Sequence, residues 1–137
     1  MSTFTAFTAF TAFTTFTPFA TLALAAFLSC TALAHVAFPA YFRTLVPAWL
    51  PSPSIIVAAS AVAELAVAGL LFAPATRAAG GWCAVALLAA FQVSHLDAAR
   101  HTRSAVRFLD TRPGVAARLV VNAAYLAWAV AVTKASC

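Results

Sequence analysis

The stretch SIIVAASAVAELAVAGLLFA, at residues 54–73, decides the fold of this chain. It contains one charged side chain, Glu64, and is otherwise almost entirely apolar. An α-helix needs about 20 apolar residues to cross the hydrocarbon core of a bilayer, which is about 30 Å thick. We therefore predict that residues 54–73 form a helix that spans a membrane.

Three further stretches have the same length and character. Residues 19–38 and 78–96 contain no Asp, Glu, Lys or Arg, and residues 115–133 contain only Arg118. Helices usually end close to a proline, and prolines separate the four stretches: Pro39, Pro47, Pro51, Pro53, Pro74 and Pro113. The predicted fold class is all-α, an integral membrane four-helix bundle whose membrane domain covers residues 19–137.

The composition excludes a water-soluble fold. Hydrophobic residues make up 64% of the 137 residues and charged residues 8%, whereas an average soluble domain has about 45–50% and about 25%. A chain this short buries only about two thirds of its surface as a globule. A soluble form would therefore expose broad apolar patches, and the lipid bilayer is the first predicted partner.

Residues 1–18 are a low-complexity run of Phe, Thr and Ala, which we treat as an N-terminal extension. Phenylalanine recurs every three residues from Phe4 to Phe19. That period matches neither the helical 3.6 nor the strand 2.0, so the secondary structure of this run is left unassigned. Ala32-Leu33-Ala34 resembles a signal-peptide cleavage site, but no basic segment precedes it, and we expect the first span to be retained.

The basic residues cluster on one side of the predicted bundle. Loops one and three, with the start of the fourth span, carry six of the eight Lys and Arg residues, and the other side carries Arg77 and Lys134. Short basic loops stay in the cytoplasm, so we predict cytoplasmic loops one and three. Arg100, Arg103 and Arg107 are spaced to share one face of a surface helix, where they would contact anionic lipid or an acidic partner. Nucleic acid is excluded as a partner because these charges lie between two apolar spans.

Glu64 is the most informative polar residue inside a span. An ionisable side chain there costs roughly 2.5–3.5 kcal/mol on insertion scales. We expect either a hydrogen-bonded glutamate that joins helices or a group that handles protons or binds a ligand. At about 1.5 Å per residue, Glu64 lies about 15 Å from loop one, near the middle of the bilayer.

Four other polar side chains belong to the same half of the bilayer. His35 lies near loop one, Gln92 and His95 lie near loop three, and Asn122 lies about two turns into the fourth span from the same side. This segregation predicts a polar cavity that opens towards loops one and three and has Glu64 at its floor. Whether these side chains face one another is left open by the sequence.

No motif for a metal, haem, flavin or iron–sulfur cluster is recognisable. The histidines form no HxxxH pair, and Cys30, Cys83 and Cys137 form no CxxC pair. We predict no metal site and no resident cofactor, and we expect the cysteines to be buried small hydrophobes. A lipid-soluble ligand such as a quinone is the candidate occupant of the polar half-cavity.

Two groups of residues within about residues 20–98 form a recognisable signature. The first group ends the first span and fills loop one: Thr31-Ala32-Leu33-Ala34-His35-Val36, Pro39, Tyr41-Phe42, Val46-Pro47 and Leu50-Pro51. The second runs from the second span into the third: Ser60-Ala61-Val62-Ala63-Glu64-Leu65, Gly69-Leu70-Leu71, Pro74, Thr76-Arg77 and the segment 79–82. Together they resemble the signature of the DoxX-like membrane proteins. The chain departs from that signature at Ala32 and Ala61, where glycine is usual, and at Gln92-Val93-Ser94, which replaces proline-alanine-asparagine.

The resemblance implies a four-helix protein of the bacterial inner membrane that is associated with a redox or oxidative-stress system. Relatives include a small subunit of thiosulfate:quinone oxidoreductase. The first predicted function is a non-catalytic subunit or scaffold, with a protein partner in a redox complex or a second copy of itself, and with no enzymatic activity of its own. The alternative is a membrane enzyme or binder that holds a quinone around Glu64.

Overall fold

The computed structural model describes residues 2–101 and 107–136. These residues form five α-helices and no strand. The helices are α1 (Ser2–Ala37), α2 (Pro39–Arg43), α3 (Pro53–Phe72), α4 (Arg77–Arg100) and α5 (Arg112–Ser136). Two 3₁₀ turns, Pro74–Thr76 and Phe108–Asp110, precede α4 and α5.

Four segments are long and apolar enough to cross a membrane, and the predicted all-α membrane bundle is confirmed. They are Pro18–Ala37, Pro53–Phe72, Pro74–Arg100 and Arg112–Ala135. The predicted spans 19–38, 54–73, 78–96 and 115–133 agree with them to within four residues at every end. Large apolar side chains such as Ile55, Val62 and Val120 point outwards and are more than two-thirds exposed, as expected for a surface that lipid covers.

In the turn between α3 and α4, side chains satisfy carbonyl groups at the end of α3. The last carbonyl groups of a helix have no partner within the helix. Here the Thr76 hydroxyl donates to the Leu70 carbonyl at 2.8 Å, and Arg77 Nε donates to the Leu71 carbonyl at 3.2 Å. The threonine-arginine pair after Pro74 therefore caps α3 and begins α4 in a few residues.

The helices form an up-and-down bundle with a dry core at one end. Helix α1 packs chiefly on α3, α4 packs on α3 and α5, and α1 also meets α5. The core lies towards the chain termini and the α3–α4 turn, and its larger members are Leu24, Leu28, Val67, Leu71, Leu88 and Val132. The end towards α2 and residues 44–52 carries the polar side chains instead.

The glycine pair at the start of α4 lets that helix touch both of its neighbours. A Cβ atom on Gly80 would lie 2.9 Å from the backbone of Leu70, and one on Gly81 would lie 3.1 Å from the Cβ of Thr133. Small residues allow this kind of close approach between helices in lipid. The dry end of the bundle therefore depends on bare backbone as well as on packed side chains.

The structure assigns one segment that the sequence left open and contradicts one expectation. The run of Phe, Thr and Ala before residue 19 is helical and continues the first span, so that α1 begins at Ser2; a period of three gives no single apolar face, yet nothing before Pro18 interrupts a helix. The cysteines were expected to be buried, and this is wrong for Cys30 and Cys83, which are exposed on the outer surface of the bundle. A cysteine side chain behaves as a small hydrophobic group, so its exposure to lipid costs little free energy and burial inside the bundle is not required.

Replacing Gly80 with alanine should destabilise the bundle, whereas replacing Gly69 should not. The added methyl group at position 80 meets the backbone of α3, and overpacking of this kind costs about 1–3 kcal/mol. Gly69 is the matched control because a Cβ there has nothing within 4 Å. Thermal unfolding of the two variants in detergent, followed by circular dichroism, checks this. A melting temperature of Gly80→Ala equal to that of Gly69→Ala would contradict the close packing of α3 and α4.

Candidate functional site

His35 is held at the last turns of α1 in a defined orientation. Its Nδ1 lies 2.8 Å from the Thr31 carbonyl oxygen, and because a carbonyl only accepts, Nδ1 carries the hydrogen. The ring stacks on Phe42 of α2, with ring centroids 3.9 Å apart. Its second ring nitrogen, Nε2, makes no hydrogen bond to the described residues.

Glu64 of α3 contacts the same imidazole ring. Its side chain is 2% exposed, and Oε2 lies 3.0 Å from His35 Nδ1. The Nδ1 hydrogen points mainly at Thr31, so Glu64 Oε2 has no well-aligned hydrogen-bond donor within the described part of the chain. The carboxyl group is thus buried beside one imidazole nitrogen, and this contact joins α1 to α3 in the middle of the bundle.

A cavity of about 550 Å³ lies beside this pair. Its polar lining comes from four helices: Thr31 and His35 of α1, Ser60 and Glu64 of α3, Ser94 and His95 of α4, and Asn122 of α5. Residues of α2 and of the segment after it, among them Phe42 and Leu45, close the end towards loop one. The volume falls within the 300–1,000 Å³ that is typical of small-molecule sites.

The remaining walls of the cavity are mainly aliphatic and include aromatic side chains. Phe27 and Tyr125 are packed together with ring centroids 4.2 Å apart, and Phe91 lies 6.1 Å from the His35 ring. All three line the cavity. A flat ring with a polar atom at its edge would find aromatic faces on its sides and hydrogen-bonding groups at one end.

Two amide side chains join α4 to α5 behind the cavity. Asn122 Nδ2 donates to the Leu88 carbonyl at 3.2 Å and to Gln92 Oε1. Gln92 Nε2 in turn donates to the Leu119 carbonyl at 3.4 Å. Asn122 reaches the cavity wall, but Gln92 does not. We therefore assign Gln92 to the joint between the helices rather than to the site.

Of the five polar residues singled out from the sequence, the structure brings His35, Glu64, His95 and Asn122 to one cavity. The sequence analysis missed the aromatic walls. Phe27, Thr31 and His35 follow one another at four-residue intervals on α1, and Phe91 and His95 do the same on α4. Residues at that spacing share one face of a helix, so the pattern could have linked the aromatic residues to the histidines.

Two members of the predicted arginine group, Arg100 and Arg107, lie outside this cavity. Arg100 ends α4, and Arg107 has extended backbone before the second 3₁₀ turn, so these two do not share one helix. Arg103 falls outside the described residues. The Arg107 guanidinium lies 5.6 Å from the centroid of the Tyr41 ring, and this cation–π contact joins loop three to α2.

The described residues contain no group of three or more His, Cys, Asp or Glu side chains placed to hold a metal ion. The pairing of His35 with Glu64 is a contact between two side chains, not a ligand set. The donors and apolar walls of the cavity are those of a site for an organic ligand.

Comparison with known proteins identifies the family of this chain. A family model described as a domain of unknown function, DUF8561, matches residues 24–133. The chain belongs to the DUF8561 family. The matched segment contains the whole His35–Glu64 cavity and leaves out the entire Phe-, Thr- and Ala-rich run of residues 1–18.

The DUF8561 description carries no activity, so the DoxX-like resemblance stays a prediction. The same comparison finds no match among curated proteins or solved structures.

The amide joint predicts energetic coupling between Gln92 and Asn122. Alanine at either position removes their shared hydrogen bond, so the effects of the two substitutions on unfolding free energy should be non-additive by about 0.6 kcal/mol and at most about 1.7 kcal/mol. A double-mutant cycle measured by unfolding in detergent checks this. A second cycle that pairs Asn122→Ala with Val93→Ala, on the outer surface of α4, is the control. Equal coupling in both cycles would show that the amide contact contributes nothing specific.

Proposed function

We propose that this protein binds a lipid-soluble ligand of the quinone class in the cavity beside His35 and Glu64. One observation carries the proposal: a buried imidazole–carboxyl pair borders a cavity of about 550 Å³ with aromatic walls. The cavity lies inside a bundle whose outer surface is apolar, so a ligand would arrive through lipid. Ionisable groups inside membrane helices mark ligand or proton sites more often than they serve packing alone.

The tautomer of His35 suits both redox states of such a ligand. Because Nδ1 carries a hydrogen, Nε2 is the nitrogen left for the ligand. In the neutral ring, Nε2 accepts a hydrogen bond from a quinol hydroxyl; in the charged ring, it donates one to a quinone carbonyl. A proton taken up at Nε2 is balanced by the Glu64 carboxylate, 3.0 Å from Nδ1.

The remaining walls match a substituted ring in size and chemistry. Phe27, Phe91 and Tyr125 provide apolar faces, and Asn122 and His95 provide further polar atoms around the edge. The described residues give His95 no hydrogen-bond partner, so its ring nitrogens are available to a second oxygen of the ligand.

This proposal combines the two functions that the sequence predicted. The chain would act as a subunit that holds the quinone, and a partner protein of a membrane redox system would supply or remove the electrons. The DoxX-like resemblance supports such a partner, and the polar cavity supports the quinone. Catalysis of electron transfer would then belong to the complex rather than to this chain alone.

Binding of decylubiquinone tests the proposal. The purified protein in lipid nanodiscs should bind this short-tailed quinone, and decylbenzene, which has no oxygen, should bind at least about tenfold more weakly. His35→Phe should raise the Kd for decylubiquinone at least about tenfold, because it removes the hydrogen bond of Nε2, and a hydrogen bond to a charged group is worth about 1.5–3 kcal/mol. Glu64→Gln should raise this Kd about tenfold, because it removes the carboxylate that stabilises the charged His35 ring. Isothermal titration calorimetry measures all four values.

Val62→Ala is the matched control, since Val62 lies on α3 close to Glu64 but faces outwards. Its Kd for decylubiquinone should equal that of the unaltered protein. Equal binding of decylubiquinone and decylbenzene, or an unchanged Kd in both site variants, would refute the quinone site.

We also propose that the cavity end of the bundle faces the bacterial cytoplasm. Arg43, Arg100, Arg107 and Arg112 lie at that end, and Lys134 lies near the other. Basic residues close to membrane helices are retained on the cytoplasmic side. The protein would then sit in the inner membrane with loops one and three inside.

Single cysteines test this orientation. In a chain whose own cysteines are replaced by alanine, Ala75→Cys in the α3–α4 turn should react with a membrane-impermeant maleimide in intact spheroplasts. Ala48→Cys, in the segment between α2 and α3, should react only after lysis. Both positions are exposed, so the pair is matched for access. Labelling of Ala48→Cys in intact spheroplasts, with protection of Ala75→Cys, would reverse the orientation.

A further inference from the structure

A second cavity of about 550 Å³ lies beside the first, at the same end of the bundle. Its charged and polar lining comes from Trp49 in loop one, Asp97 and His101 at the end of α4, Asp110 in the second 3₁₀ turn, and Arg118 in α5. Leu45, Val46 and Ser94 line both cavities and form the wall between them. The quinone proposal uses none of the charged residues in the second cavity.

Arg118 is the least satisfied group in this cavity. Its side chain is 12% exposed, and its nearest acidic partner is Asp110, with 3.7 Å between Nη2 and Oδ1. Nε and Nη1 are shielded and have no hydrogen-bond partner among the described residues. A structural arginine–carboxylate pair is usually bidentate and closer than 3 Å. The loose contact leaves N–H groups directed at no acceptor, which is costly for a shielded guanidinium unless a ligand provides one.

The acidic residues of the cavity select the kind of ligand. Asp97 Oδ1 accepts the indole N–H of Trp49 at 3.3 Å and lies 3.3 Å from His101 Nδ1. Among the described residues, the Asp110 carboxylate contacts only Arg118, at 3.7 Å. A purely anionic ligand at Arg118 would face two carboxylates, and a purely cationic ligand would face the guanidinium. A ligand with one charge of each sign complements both.

The position of the cavity indicates that the ligand comes from the membrane. Arg118 lies six residues after Arg112, or about 9 Å from the start of α5, and Asp97 lies within a turn of the end of α4. Asp97 therefore lies at the boundary with the headgroups and Arg118 just inside the hydrocarbon, from where a long arginine side chain reaches the headgroups. Trp49, which is mostly exposed at the edge of the cavity, is a residue type that prefers this region.

We propose that the Arg118 cavity binds the phosphoethanolamine headgroup of a membrane phospholipid. The phosphate accepts hydrogen bonds from the Arg118 guanidinium, which turns its N–H groups towards the cavity, and the ammonium group donates to Asp110 and to the free oxygen of Asp97. The acyl chains lie along the apolar outer surface of the bundle. The lipid is held next to the wall that Leu45, Val46 and Ser94 share with the first cavity.

Titration with short-chain lipids tests this site. Delipidated protein in detergent is titrated with dihexanoyl phosphatidylethanolamine, phosphatidylcholine and phosphatidylglycerol. We expect phosphatidylethanolamine to bind about tenfold more tightly than the other two, because phosphatidylcholine has no ammonium N–H and phosphatidylglycerol has no positive charge. Equal affinity for all three lipids would overturn the proposal.

Soluble phosphoethanolamine distinguishes the two sources of this chemistry. Binding at least tenfold weaker than that of the lipid supports a membrane lipid as the ligand. Equal or tighter binding overturns the lipid as the source and identifies a free solute instead.

Three substitutions test which side chains cause the preference for phosphatidylethanolamine. Arg118→Gln should remove the preference for phosphatidylethanolamine, and Asp110→Asn should shift it towards phosphatidylglycerol by at least about tenfold, because one repelling carboxylate is lost. Arg112→Gln is the matched control: it is a basic residue of the same helix, but it is exposed and lies outside the cavity. A ratio of affinities does not depend on how much protein folds, so Asp110→Asn remains informative if Arg118→Gln is unstable. An unchanged ratio in Asp110→Asn would overturn the assignment.

Discussion

Hydrocarbon offers no hydrogen-bond partner, and the arrangement of this bundle follows from that constraint. Each polar side chain inside a span must find its partner within the protein or pay a desolvation cost of several kcal/mol. The hydroxyl groups of Ser29 and Thr133 find their partners within their own helices, because each donates to the carbonyl group four residues earlier. Glu64 has no such solution, because a carboxylate cannot donate to a carbonyl. Its carboxyl group therefore depends on His35 of another helix, and the contact fixes how α1 meets α3.

The two ends of the bundle have different roles. At the end near the α3–α4 turn, leucine, valine and bare glycine backbone pack closely, and this packing holds the helices together by van der Waals contact. At the other end, the side chains are polar or aromatic and leave space between the helices. A site that contains open volume and buried polar atoms costs stability, and the tightly packed end offsets that cost.

The two cavities share a wall but differ in electrostatics. The first has one imidazole–carboxyl pair and aromatic sides, which suits an uncharged ring with polar edges. The second has an under-bonded guanidinium, two carboxylates and a tryptophan at headgroup depth, which suits a zwitterion. Leu45 and Val46 belong to both, so a lipid headgroup in the second cavity would help to hold the segment that closes the first.

The number of spans, their approximate ends and the depth of each polar residue follow from the sequence, because a bilayer has a fixed thickness and a helix a fixed rise. That is why the stretch around Glu64 could be assigned from its length alone, and why Glu64, His35, His95 and Asn122 could be placed in one half of the membrane. Depth says nothing about rotation around the helix axis. Only the packing of the helices decided that Gln92 turns towards Asn122 and Leu119 while His95 faces the cavity, and only the turn before α5 brought Asp110 within 3.7 Å of Arg118. These contacts join residues of different elements, and the geometry that creates them is set by the fit of whole helices against one another rather than by any local pattern.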